Sequence, residues 1–131
     1  MSGPLLAGLA FGGATIGVLR ANSIASDRAT GPILLAAIAL FYPVFAVEPE
    51  TGAEVAMPVA IALGFLGVAV LGHARDLWIV ALAIAGHGLF DLAAHALSDG
   101  PAPRWWGPFC AGFDVVLGAW LLIARPWRAR S

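Results

Sequence analysis

The chain has no lysine and a single cysteine, Cys110, and only 11% of its 131 residues are charged. One cysteine cannot close an intramolecular disulfide, so the thiol count leaves the redox compartment open. There is no Cys-x-x-Cys pair, no phosphate-binding loop, no Gly-x-Gly-x-x-Gly after a strand and no Gly-x-Ser-x-Gly elbow. Their absence removes the common signatures of thiol redox chemistry, nucleotide binding and α/β-hydrolase catalysis. The net charge of −1 comes without a basic patch, and every base other than the histidines is an arginine. Nucleic acid is therefore not an expected partner. No internal repeat stands out, and no segment is long enough for a separate soluble domain.

What is present is apolar. The chain is 60% hydrophobic, with a mean hydropathy of +0.88, and a soluble domain of this size could not hide so much apolar surface. Several runs approach the roughly 20 residues that cross a hydrocarbon core. The pattern predicts an all-α fold: a polytopic membrane helical bundle, one integral membrane domain over residues 1–131, with five transmembrane helices at about 3–19, 31–47, 55–72, 77–97 and 107–124. Its main partner is the lipid bilayer.

In the first span, Gly8 with Gly12 and Gly13 with Gly17 form two small-xxx-small pairs. Such pairs let another helix approach closely, within the bundle or in a homo-oligomer. A cleaved signal peptide is the rival reading, but no base precedes the apolar run and Arg20 follows it, the wrong charge order. Pro43 inside the second span predicts a kink. The third span either starts from a capping box, Thr51-x-x-Glu54, or takes Pro58 as its first helical residue. Residues His73 to Asp76 make a tight turn, and the run from Ser98 to Pro108, SDGPAPRWWGP, is a break.

Five spans put the termini on opposite sides. With the N-terminus outside and the C-terminus cytoplasmic, the inner segments hold Arg20, Arg28, Arg75, Arg125, Arg128 and Arg130, and the outer ones only Arg104. That is the positive-inside pattern. Trp105 and Trp106 then fall at the outer interface and Trp78 and Trp127 at the inner, as aromatic belts do. The acidic loop with Glu48, Glu50 and Glu54 faces outward. The expected location is the bacterial inner membrane.

Only the fourth span hints at chemistry. His87, Asp91 and His95 sit at i, i+4 and i+8, which places them on one helical stripe roughly 80° wide. An acid at the bilayer centre costs roughly 2.5–3.5 kcal/mol on insertion scales, so such residues face protein or trapped water. In the fifth span Cys110 and Asp114 share a face, and Asp114 lies roughly 10 Å in at 1.5 Å per residue, level with Asp91 and His87. Helices joined by a short loop are neighbours, so Asp91 and Asp114 are expected to face each other.

His87, Asp91, His95 and Asp114 are the candidate metal ligands, and Asp91 and Asp114 the candidate catalytic acids. Two imidazoles and two carboxylates suit a divalent metal such as Zn, Fe or Mn, and a ligand from Cys110 would favour Zn or Cu. The leading reading is a metal-dependent enzyme on a lipid-soluble substrate, with both histidines and one aspartate as ligands and the other aspartate as general base to a metal-bound water. The same residues suit a proton relay in a non-catalytic subunit or proton-coupled carrier acting as an oligomer. They also suit an inter-helix hydrogen-bond and ion-pair cluster that only holds the two spans together. Other polar or aromatic residues read more plainly. Glu54 is a cap or loop residue, Cys110 a small buried apolar side chain, His73 a solvated turn residue and Tyr42 a packing residue.

The run from His87 to His95, HGLFDLAAH, followed by a Pro/Trp-rich loop and then Cys110 to Asp114, CAGFD, resembles an uncharacterised bacterial membrane family, domain-of-unknown-function family 6010. The resemblance covers the last two spans, and the first three only in hydropathy. It implies a small multi-span protein with the same polar positions and no known reaction. The family's fourth-span motif often ends in a histidine doublet. Here the second position is Ala96, so no role passes to a second histidine there.

Overall fold

The computed structural model describes residues 2–46, 56–97 and 103–130, and within them leaves aside the side chains of Tyr42, Ala46, His95, Leu97, Ala129 and Arg130. Among the described residues the fold is all α. Helices α1 (Ser2–Ala21), α2 (Thr30–Ala46), α3 (Ala56–Ala74), α4 (Leu77–Leu97) and α5 (Trp106–Ala124) follow one another, with short 3-10 turns at Ile24–Ser26 and Pro126–Arg130. Helix α3 is described from Ala56, with Pro58 helical and buried. The alternative capping box at Thr51 and Glu54 and the acidic loop lie outside the described residues, as does the break at 98–102.

Four helices, α1, α3, α4 and α5, are long and apolar enough to cross a membrane. Within the described residues helix α2 has 17 residues, about 26 Å of rise against a hydrocarbon core of about 30 Å. Large apolar side chains of the described residues face outward on every helix: Val70 on α3 is 71% exposed and Ile123 on α5 is 84% exposed, with Leu6, Ile33, Met57 and Leu89 also open. Soluble proteins do not leave contiguous surface of this kind to water.

Helix α5 is the spine. It buries nine of its 19 residues, whereas α1 buries three of 20. Helices α4 and α1 pack along α5, α2 packs on α3, and both of these lean on α4. In lipid, helix association is driven by close packing and not by apolar burial, and glycines supply that closeness here. A Cβ at Gly8 would overlap the Phe109 carbonyl oxygen, and one at Gly12 would overlap Val116. From the facing side, a Cβ at Gly112 would lie 2.5 Å from the Leu5 carbonyl oxygen. The second expected pair behaves differently: around Gly13 and Gly17 nothing lies within 4 Å of such an atom, so that face looks out of the bundle.

The helix ends sort the charges. The C-terminal ends of α1, α3 and α5 and the N-terminal ends of α2 and α4 meet at one end, together with both 3-10 turns. Arg20, Arg28, Arg75, Arg125 and Arg128 are all there, and Arg104 is at the other end. Arg125 closes α5 in a left-handed conformation, φ 43°, and turns the tail back so that Trp127 joins the buried core beside Leu19, Ala25 and Leu77. This corrects the expectation that Trp127 is an interface anchor. Trp78, at the same end, is exposed as expected.

Candidate metal centre

The i, i+4 spacing on α4 sets the first two donors. His87 Nδ1 lies 3.3 Å from Asp91 Oδ2. The third arrives from α5, which runs antiparallel to α4. A Cβ at Gly88 would stand 2.8 Å from Asp114 Cβ and 3.3 Å from the carbonyl oxygens of Cys110 and Ala111. A glycine beside His87 is thus what allows α5 close enough for Asp114 Oδ2 to reach His87 Nδ1, at 3.0 Å. Farther along, Gly118 sits just as tightly on α4, where a Cβ would lie 2.5 Å from the Ala85 backbone nitrogen.

The three side chains are sealed from solvent: His87 is 2% exposed, Asp91 2% and Asp114 1%. One donor atom from each can be chosen so that all lie within 4.8 Å of one another. Phe65 from α3 packs edge-on against the imidazole with ring centroids 4.7 Å apart, and Phe90 flanks it at 6.2 Å. The environment is dry and aromatic, and it strengthens every charge interaction inside it.

The imidazole Nδ1 carries one hydrogen at most, and that N–H, when present, donates to Asp114. Asp91 Oδ2 pairs with the same nitrogen at 3.3 Å, so two carboxylates share one N–H and neither is fully satisfied by it. Buried carboxylates are ordinarily hydrogen-bonded or paired. Two of them converge here on one nitrogen, and like charges so close are not both stable without a cation or a shared proton.

Of the four residues singled out as ligands from sequence, His87, Asp91 and Asp114 come together. His95 lies in the last turn of α4, but its side chain is outside the described set. Cys110 is buried one turn before Asp114 on α5, and its sulfur is not part of the three-donor group. His73 is exposed at the arginine-rich end, away from the cluster. Two contributors escaped the sequence reading. Gly88 is flagged only by being a small residue next to a polar one in a span, and Phe65 by nothing that separates it from the other apolar residues of α3.

One imidazole nitrogen and two carboxylate oxygens are a donor set for Zn, Fe or Mn. The spacings of 3.0 and 3.3 Å match the edges of a coordination shell with bonds of about 2.1 Å. Three protein ligands is the number that catalytic zinc sites use, whereas structural zinc sites take four. Toward the arginine-rich end the cluster is floored by Ile84, Val80, Leu117 and Leu121, all apolar and essentially inaccessible. Comparison with protein-family models, with curated proteins and with solved structures finds no match to this chain.

Proposed function

We propose that the chain is a metal-binding integral membrane protein whose His87, Asp91 and Asp114 hold one divalent transition-metal ion, Zn or Fe, between α4 and α5. The observation that carries this is convergence: two carboxylates buried inside apolar helices, Asp91 and Asp114, meet on the one Nδ1 of His87 at 3.3 and 3.0 Å. One N–H cannot serve both carboxylates fully, and like charges so close need a cation or a shared proton, which a bound ion supplies. A proton-coupled carrier would need titratable groups continuing to the far side, and the floor of Ile84, Val80, Leu117 and Leu121 supplies none. In the metal-free form the Nδ1–H bonds Asp114, and loading exchanges that proton for the ion. An ion there would supply Lewis acidity to the oxygen of a lipid-soluble substrate or to a bound water. The second oxygen of Asp91 would then accept a proton from that water. The likeness to domain-of-unknown-function family 6010 brings no reaction with it, so the reading rests on this geometry.

The test is elemental analysis of protein purified in mild detergent without chelator. The expected result is close to one Zn or Fe per chain, removable by chelator and restored on readdition. A content below about a tenth of an ion per chain after growth in zinc-, iron- and manganese-supplemented media would overturn the metal reading.

The proposal includes the topology: α2 as a fifth span, the arginine-rich end in the cytoplasm, the cluster near the outer face of an inner membrane. Its support is the charge asymmetry between the two ends. A cytoplasm-fluorescent protein fused after Ser131 should glow, and a periplasm-active phosphatase fused there should be silent. The reverse pair of signals sinks the orientation without touching the metal site.

A further inference from the structure

At the arginine-rich end, between α1, α5 and the first 3-10 turn, lies an open cleft of about 430 Å³. Its rim is polar, with Arg20, Ser23 and Ser26, and its wall is apolar, with Leu19, Trp120 and Ala124. We infer that this cleft seats the phosphate-bearing headgroup of an anionic phospholipid, with Arg20 as its charge partner. The inference stands apart from the metal site, which is on the far side of the buried floor.

Four observations converge. First, basic charge gathers at this end: Arg20, Arg28, Arg75 and Arg125 stand against Asp27 and Asp76 among the described residues. Second, both acids are already used as local caps. Asp27 Oδ1 accepts the Ala29 N–H at 2.8 Å and Asp76 Oδ1 the Trp78 N–H at 3.3 Å. No carboxylate among the described residues pairs with Arg20. Third, Ser23 stands in the left-handed region, φ 57°, and its side chain makes no cap bond. This strained turn sets an exposed serine on the rim of the cleft next to Arg20. Fourth, the wall continues into the lipid-facing sides of α1 and α5, where Val18 and Ile123 are exposed, so acyl chains have a dry surface to follow while the phosphate stays at the rim. The volume falls within the roughly 300–1,000 Å³ of small-molecule sites. Basic clefts between membrane helices are a recurring lipid-headgroup geometry.

Native mass spectrometry of the detergent-solubilised full chain, titrated with phosphatidylglycerol or phosphatidylcholine, tests this. One phosphatidylglycerol should be retained, and phosphatidylcholine much less. Arg20→Gln should weaken phosphatidylglycerol retention about fivefold, the share of one arginine at a membrane surface. Arg104→Gln, at the other end, should leave it unchanged. Ala124→Trp fills the cleft without altering charge and should weaken retention too, which covers the case of an unstable Arg20→Gln protein. Equal retention of the two lipids, or equal losses from Arg20→Gln and Arg104→Gln, would overturn the inference. Loss of the bound lipid on adding millimolar inorganic phosphate would overturn the lipid source and leave a soluble phosphate in its place.

Discussion

Asp91→Asn protein is expected to purify with at least tenfold less bound metal than the parent, Asp114→Asn with a similar loss, and the double variant with no further loss. One ion held by three protein donors does not survive the removal of a charged one, and residues that act as a unit give non-additive losses. Stability should follow a different course. Without metal, the parent keeps two buried carboxylates around one imidazole nitrogen, so replacing either by a neutral amide should leave the chelator-treated protein as stable or more so. With metal, the parent gains what the ligand contributes, about 2.7 kcal/mol at a hundredfold excess over Kd, on the order of 5–10 °C in melting midpoint for a chain of this size. Chelator should therefore lower the midpoint of the parent and leave those of the three variants where they were. Additive metal losses across the two single changes, or a chelator effect that persists in the double variant, would show two separate sites.

The second large effect is steric. Gly8→Leu and Gly118→Leu should each destabilise the bundle by several kcal/mol or abolish its recovery, because the first new atom already meets backbone that cannot move aside: the Phe109 carbonyl for Gly8, the Ala85 amide for Gly118. Ordinary overpacking costs about 1–3 kcal/mol when side chains can yield. Gly12→Leu belongs nearer that range, since its first obstacle is the Val116 side chain. Gly17→Leu should leave the melting midpoint within the change of about 0.5 kcal/mol expected of an open position. If the chain self-associates through the outward small-residue face, the same variant shifts the elution volume. Thermal melts of the four variants in one detergent decide the point, and equal destabilisation by Gly8→Leu and Gly17→Leu would refute the assignment of faces.

Helix count and rough borders were legible because a bilayer fixes span length, so hydropathy alone separates helix from loop in this chain. The juxtaposition of His87, Asp91 and Asp114 was legible too. A four-residue step holds one helix face, and a short connection makes neighbours antiparallel, so depth could be counted along both spans. Other features depend on partners. Gly8/Gly12 and Gly13/Gly17 are the same pattern in sequence, and only the position of α5 makes one pair an interface and leaves the other bare. Trp127 reads as a belt residue until the left-handed turn at Arg125 folds it inward. The start of α3 had two signals that disagreed, and the residues that would decide between them, 51–55, lie outside the described set.

The packing order of the helices sets a schedule for biogenesis. Ribosomes deliver α1 first, yet its main partner is α5, the last helix to leave the insertion machinery. Until then α1 waits in lipid with its Gly8 and Gly12 contacts unmade, and α4 waits with His87 and Asp91 lacking Asp114. A single late event, the arrival of α5, docks the first helix and completes the His87–Asp91–Asp114 cluster together. Ribosome-stalled chains ending before Trp106 should therefore expose α1 to quality-control proteases that ignore the finished protein.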